Sequence, residues 1–307
     1  MSDLSLTEPI AEAARSLLAA QMHIICIHAE AVRDAANVTS VHEMRKAIRR
    51  SFTAFSLFEP YFQPEALMPF QRPLRKLMKR LGRARDLAVL GQNLEQYWRQ
   101  PGAEQMDAGN LPALQQYIHT QQTAAEARFQ AYLQQEKVHD FFHTYKSFLQ
   151  TPGAGALPQP RHAFIQVRHL LPVLIYQRLA AVLVFSDSVY QANLTLPELH
   201  QLRLRAKELR YTLEFFAPLP GPTFSIAYAT LKRLLEHLGE QNDAYVGGRW
   251  LEKQLGEVDM PALHHALHAY QQLLQQRLDH LLAEFPAIWA EFDHPAWRIN
   301  LALSLPV

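Results

Sequence analysis

One short basic pattern occurs twice in this chain. His42, Arg45 and Arg49 recur as His200, Arg203 and Lys207, the same three- and four-residue steps displaced by 158 residues. Further along each copy, LGRARD (81–86) recurs as LGEQND (238–243), displaced by 157. Two separate matches at nearly one offset mark a duplicated structural unit, so the fold must be one that can be built twice. Steps of three and four also put the histidine and both cations on one face of a helix, since each residue advances the helix by about 100°.

Helical periodicity dominates the rest of the chain, and alternating stretches long enough for a sheet are few. Proline and glycine punctuate it at PGAEQMDAGNLP (101–112), TPGAGALPQP (151–160), APLPGPT (217–223) and around Pro261. Between these breaks the pattern predicts helices near 8–36, 39–59, 65–99 and 111–149, then near 161–189, 197–216, 223–255 and 261–283. Four helices, a connection and four helices again give an all-α chain of two tandem four-helix bundles. The first covers 1–150, the linker 151–160 and the second 161–307. The 307 residues exceed what a single core usually holds, and 49% are hydrophobic, enough for a substantial interior.

The charge is segregated. In VHEMRKAIRRSFTAFSLF (41–58), Val41, Met44, Ile48, Phe52 and Phe55 share the apolar stripe while His42, Arg45, Lys46 and Arg49 share the opposite face. Glu43 and Glu59 are the acids at hand, so like charges repel there unless an anion covers them. In the third helix Arg72, Arg75, Lys76, Lys79 and Arg83 follow i, i+3, i+4, i+7, i+11, with Leu74, Leu77, Met78 and Leu81 on the other side. Residues 42–50, 72–85, 200–210 and 232–233 hold 17 of the 30 lysines and arginines of a chain whose net charge is +1. Such segregation argues against a diffuse coat for nucleic acid or membrane and for a local polyanion site. Cys26 is the sole cysteine, which excludes an intrachain disulfide and a cysteine metal cluster and fits a reducing cytosol. The N-terminus reads as having no signal peptide. LLPVLIYQRLAAVLVF (170–185) is shorter than the roughly 20 residues of a span and carries Gln177 and Arg178, so it is expected to be a buried helix, with no membrane partner.

VHEMRKAIRR, LGRARDLAVL, LHQLRLRAKELRYTLEFF and LKRLLEHLGEQNDA together resemble the CHAD family, the conserved histidine α-helical domain, over roughly residues 10–290. The resemblance implies two four-helix bundles related by a pseudo-two-fold axis and a basic channel between them that binds inorganic polyphosphate. It puts His42, Arg45, Arg49, Arg50, His200, Arg203, Lys207 and Arg210 on motif positions, with Lys76, Lys79 and Arg83 on the adjoining helix. The charged faces add Lys46, Arg72 and Lys232. The acidic metal-binding strands of the CYTH domain fused to many relatives are not visible in this sequence.

The expected function is therefore non-catalytic binding of polyphosphate or similar phosphate and sulfate anions, without cofactor or metal, in the cytoplasm and on polyphosphate granules. The expectation from another class is a metal-assisted phosphohydrolase or phosphotransferase acting on condensed phosphates. A Walker-type loop and acids within the ribbons, which that chemistry would use, are lacking. A nucleic-acid module is disfavoured because only Tyr211 could stack beside the cations. His42 and His200, expected at the starts of their helices, read equally as structural donors and as phosphate ligands. Gly82 and Gly239 are expected to permit close helix approach, and Asp86 and Asp243 to fix arginine rotamers or stitch helices together. His139 with His143 and His264 with His268 have metal-pair spacing but no evident third ligand, so they read as surface histidines. Glu236 and Glu240 replace Lys79 and Arg83 in the second copy, which skews the expected potential toward the first.

Overall fold

In the computed structural model, residues 7–34, 38–98, 111–158, 165–216, 223–258 and 260–305 are described. They form α1 (Ile10–Asp34), α2 (Val38–Phe58), α3 (Met68–Trp98), α4 (Leu111–Leu133), α5 (Glu136–Gln150), α6 (Val167–Leu183), α7 (Ser186–Tyr190), α8 (Leu196–Phe215), α9 (Phe224–Leu255), α10 (Pro261–Phe292) and α11 (Pro295–Ser304). No strand occurs among the described residues; the extended pairing there consists of single bridges, Pro9 with Gln166 and Phe62 with Ala156. The fold is all-α, as the periodicity predicts. Residues 101–110, 159–164 and 217–222, which contain much of the proline and glycine punctuation, lie outside the described set.

Local chemistry explains most helix ends. Thr195 accepts from the backbone N–H of Glu198 while the Glu198 carboxylate accepts from the backbone N–H of Thr195, a reciprocal cap that opens α8 with Pro197 in its first turn. Pro261 and Pro295 open α10 and α11 in the same way. Two boundaries differ from expectation. The predicted helix 111–149 breaks at Gln135, whose backbone is extended. Leu133 and Val138 are both buried but five residues apart, about 140° out of register on a continuous helix. Breaking the helix rephases the stripe, so that α4 packs on α3 and α5 on α1. Conversely, α10 runs through Pro286 to Phe292, because Leu278, Leu281, Phe285, Trp289 and Phe292 keep one buried stripe across it. The helix therefore runs past the predicted end at 283.

α6 is one-sided rather than fully buried. Leu171, Leu174, Ile175, Leu179 and Val182 enter the core, whereas Val173 and Tyr176 are exposed, as is Val184 just past its end. The windows Ile10–Arg33 and Val167–Tyr190 are long and apolar enough to cross a membrane by length and composition; both lie within helices packed into this fold.

The largest buried cluster runs from Ile10 to Leu301 and takes residues from both copies of the unit. A second joins Leu90, Leu94, Leu114 and Ile118 to Leu251, Leu267, Tyr270 and Leu274. Equivalent helices meet each other across the middle, α2 against α8 and α3 against α9. Helices equivalent in the sequence repeat thus face one another. The connection between copies is held too. Its Gly155 carbonyl accepts from the Gln63 N–H at 2.8 Å, and its Leu157 N–H donates to Tyr61 at 3.1 Å.

Candidate functional site

Between α2, α3, α8 and α9 lies a groove of about 1300 Å³, counted to its open mouth. Six pairs of repeat-equivalent residues line it: His42 and His200, Arg45 and Arg203, Arg49 and Lys207, Arg85 and Asn242, Asp86 and Asp243, Val89 and Val246. Lys46, Arg210, Tyr211, Lys232, Leu235 and Glu236 complete the wall. Eight lysines and arginines thus face three carboxylates. The groove is strongly basic inside a chain whose net charge is +1.

The two copies repeat each other in geometry. Arg45 on α2 lies 3.9 Å from Asp86 on α3, and Arg203 on α8 lies 3.9 Å from Asp243 on α9. Each aspartate stands beside its arginine at ion-pair rather than hydrogen-bond distance, and contacts that long leave guanidinium donors uncommitted. Nη1 of Arg45 and Nε of Arg203 are buried without a hydrogen-bond partner among the described residues, while Nε of Arg210 is paired with the Glu214 carboxylate at 3.3 Å. Burial pushes Arg45 down to about 10, with Asp86 opposing, and lowers Arg203 likewise, with Asp243 opposing; Arg45 is therefore still cationic at neutral pH. Asp86 keeps half of its side chain open to the groove, yet the surrounding walls, and less so Asp243, raise its carboxyl above the usual range. The ribbons are therefore not free of acids: folding brings these two carboxylates within electrostatic reach of one another, which spacing along the chain did not show.

His42 and His200 are exposed at the groove wall, one turn inside their helices rather than at the first residue. Nδ1 of His200 is 3.0 Å from the Asn242 side-chain oxygen. In the first copy Arg85 replaces that asparagine, and partial burial with the Arg85 charge pushes the His42 imidazole below its ordinary range. His200 is thus oriented by a neighbour, while His42 faces a cation and keeps its one N–H for an incoming acceptor.

Several expected site residues lie elsewhere. Arg72, Lys76, Lys79 and Arg83 are exposed on α3 and do not line the groove. Arg45 against Gly82 and Arg75 over the Phe52 ring set an antiparallel register that puts Lys79 level with Arg49, outside the wall. The face α3 turns inward carries Arg85, Asp86 and Val89 instead, and Lys232 on α9 does line the groove. The wall takes four cations from each copy, Arg45, Lys46, Arg49 and Arg85 against Arg203, Lys207, Arg210 and Lys232, so the skew expected from the α3 charges is not carried by its cations. Arg50 also lies off the groove. It reaches Glu214 at 3.7 Å and stands 5.3 Å over the Phe215 ring, tying α2 to α8. Gly82 is a close approach, since a Cβ there would lie 3.2 Å from Arg45 Nη1, but Gly239 has nothing within 4 Å. His139, His143, His264 and His268 are exposed, and no group of three or more metal-binding side chains occurs among the described residues. Arg85 was missed although it precedes Asp86 inside the repeated LGRARD motif.

An all-helical chain with a basic groove lined by both copies of its repeat is the class these features define. The CHAD domain model matches residues 16–252, and the chain belongs to that family. Two solved structures are similar in fold. The CHAD domain from the plant Ricinus communis has a TM-score of 0.69 at 22% identity, covering 97% of this chain and 93% of that one. PptA from Streptomyces chartreusis has a TM-score of 0.67 at 16% identity, covering 92% and 99%. A search of curated proteins finds no match.

Proposed function

We propose that the chain binds inorganic polyphosphate along this groove and does not turn it over. The observation that carries the reading is the pair of arginines, Arg45 and Arg203, placed alike beside Asp86 and Asp243 in the wall of one groove, each engaged by its carboxylate only at 3.9 Å. A linear phosphate polymer offers charged oxygens at every unit, and charge-assisted bonds to guanidinium are the strong ones. Its two ends are chemically identical, so it presents the same face to both halves of a two-fold site. A nucleic-acid strand has polarity and cannot do so. Stacking support is also thin: Tyr211, the one Phe, Tyr or Trp in the wall, is 4% exposed. The family's association with polyphosphate points the same way. Binding without turnover fits two carboxylates that are each engaged by an arginine. Association with polyphosphate granules in the cytoplasm extends the same reading, and phosphate or sulfate should compete for the groove.

Titration of polyphosphate and of single-stranded DNA, matched in charge and salt, tests the reading. The polyphosphate should bind at physiological salt and the DNA much more weakly, with no orthophosphate released in the presence of Mg²⁺. DNA binding as tight as polyphosphate would transfer the site to nucleic acid; released orthophosphate would make it a phosphohydrolase.

A further inference from the structure

At one pair of repeat-equivalent cations lining the groove, the two copies differ in chemistry. Arg49 on α2 is a guanidinium, which does not lose its proton in proteins, and Lys207 on α8 is an amine, which can. We infer that polyphosphate binding is coupled to uptake of a proton by Lys207, so that the occupied groove carries one cation more than the empty one. This rests on the polyphosphate reading and deepens it.

The surroundings of Lys207 carry the inference. Arg203, Arg210 and Tyr211 face it from its own helix and Arg49 from α2. Across the groove, α9 contributes Lys232, Glu236 and Asp243. Both acids are already engaged, Glu236 with Lys232 at 3.4 Å and Asp243 with Arg203 at 3.9 Å. α6, also packed on α8, turns Arg178 toward Glu208 rather than toward the groove. Lys207 itself makes no hydrogen bond or ion pair among the described residues. A walled-in amine ringed by guanidiniums sheds its proton: burial first, then Arg203, Arg49 and Arg210, pushes Lys207 down to about 5.

A phosphate chain laid along the groove reverses the balance. Its oxygens neutralise the arginines and supply acceptors, and the Lys207 amine takes a proton from water to become an ammonium. No bond in the ligand is made or broken. By linkage, affinity falls as pH rises above about 5, by at most about tenfold per pH unit while one proton is taken up.

Calorimetric titration of the full chain with long-chain polyphosphate, in buffers of different ionisation enthalpy at mildly alkaline pH, counts the protons taken up. Lys207→Arg fixes the charge and Lys207→Met removes the titrating nitrogen; thermal melting confirms which variants fold. Proton uptake by the ligand termini and the histidines is common to all three proteins, so the differences between them report Lys207. The wild type should take up about one proton more per site than either folded variant, and its affinity should fall more steeply with pH. Equal proton counts with binding intact would overturn the inference. Failure of the wild type to bind polyphosphate at all would instead overturn the reading beneath it.

Discussion

Replacing Gly82 with alanine should make the protein more stable and a poorer binder, and the same change at Gly239 should do only the first. The two glycines are equivalent positions of α3 and α9, displaced by 157 residues. In a helix interior, glycine to alanine is favourable by about 1 kcal/mol, so both variants should melt above the wild type. A Cβ at 82 would sit 3.2 Å from Arg45 Nη1, closer than an ordinary contact, and the soft end of that side chain must give way. The shift disturbs the 3.9 Å approach to Asp86 and moves the guanidinium from the position it holds in the groove wall. Losing about 1 kcal/mol of charge-assisted bonding weakens binding roughly fivefold. A Cβ at 239 meets nothing within 4 Å, so its affinity should match the wild type. Melting curves and polyphosphate titrations of the two variants decide the matter. Equal affinities in both would remove Arg45 from the binding surface.

Arg50→Ala should lower stability by about 1–2 kcal/mol through loss of its partly buried ion pair and its ring contact, with polyphosphate affinity little changed. Glu214 keeps Arg210 at 3.3 Å and the Tyr228 hydroxyl at 2.7 Å, which limits the damage; chemical denaturation reads it. Gly155→Ala should cost more than about 1–2 kcal/mol in the same assay, because φ there is +69° and the new Cβ would lie 2.7 Å from the Ala66 Cβ. Lys79→Ala with Arg83→Ala should weaken binding less than Arg203→Ala, and the small effect should vanish at high salt, since exposed charges outside the groove act only through a screened field.

The repeat was legible because ionic residues at a fixed offset have no packing reason to recur, and it located His42, Arg45, Arg49, His200, Arg203 and Lys207 on one wall. Helix existence was legible from periodicity and from the proline and glycine punctuation, as at Pro261, where α10 begins. The break at Gln135 was not, since no breaker stands there; it arises from buried side chains falling out of phase. The α3 ribbon misled for a related reason. That helix has cations on more than one face, and which face meets α9 is a property of helix crossing that a single helix's periodicity does not encode. Arg49 and Arg50 show the same limit at one residue's spacing: about 100° of rotation separates a groove cation from a clamp between the copies.

The double variant Arg49→Ala with Lys207→Ala tests the central claim most directly. Neither side chain has an ion pair among the described residues, and Lys207 is uncharged in the empty groove, so the truncations cost side-chain packing while only Arg49 takes a repelling charge away; thermal melting checks that the variant folds. Polyphosphate affinity measured across a range of salt should be steeply salt-dependent in the wild type. In the variant it should be weaker at every salt, with a shallower slope as fewer counterions are displaced. A folded variant that keeps the wild-type affinity and slope would contradict the account, because the polymer would then be held somewhere other than the groove between α2 and α8.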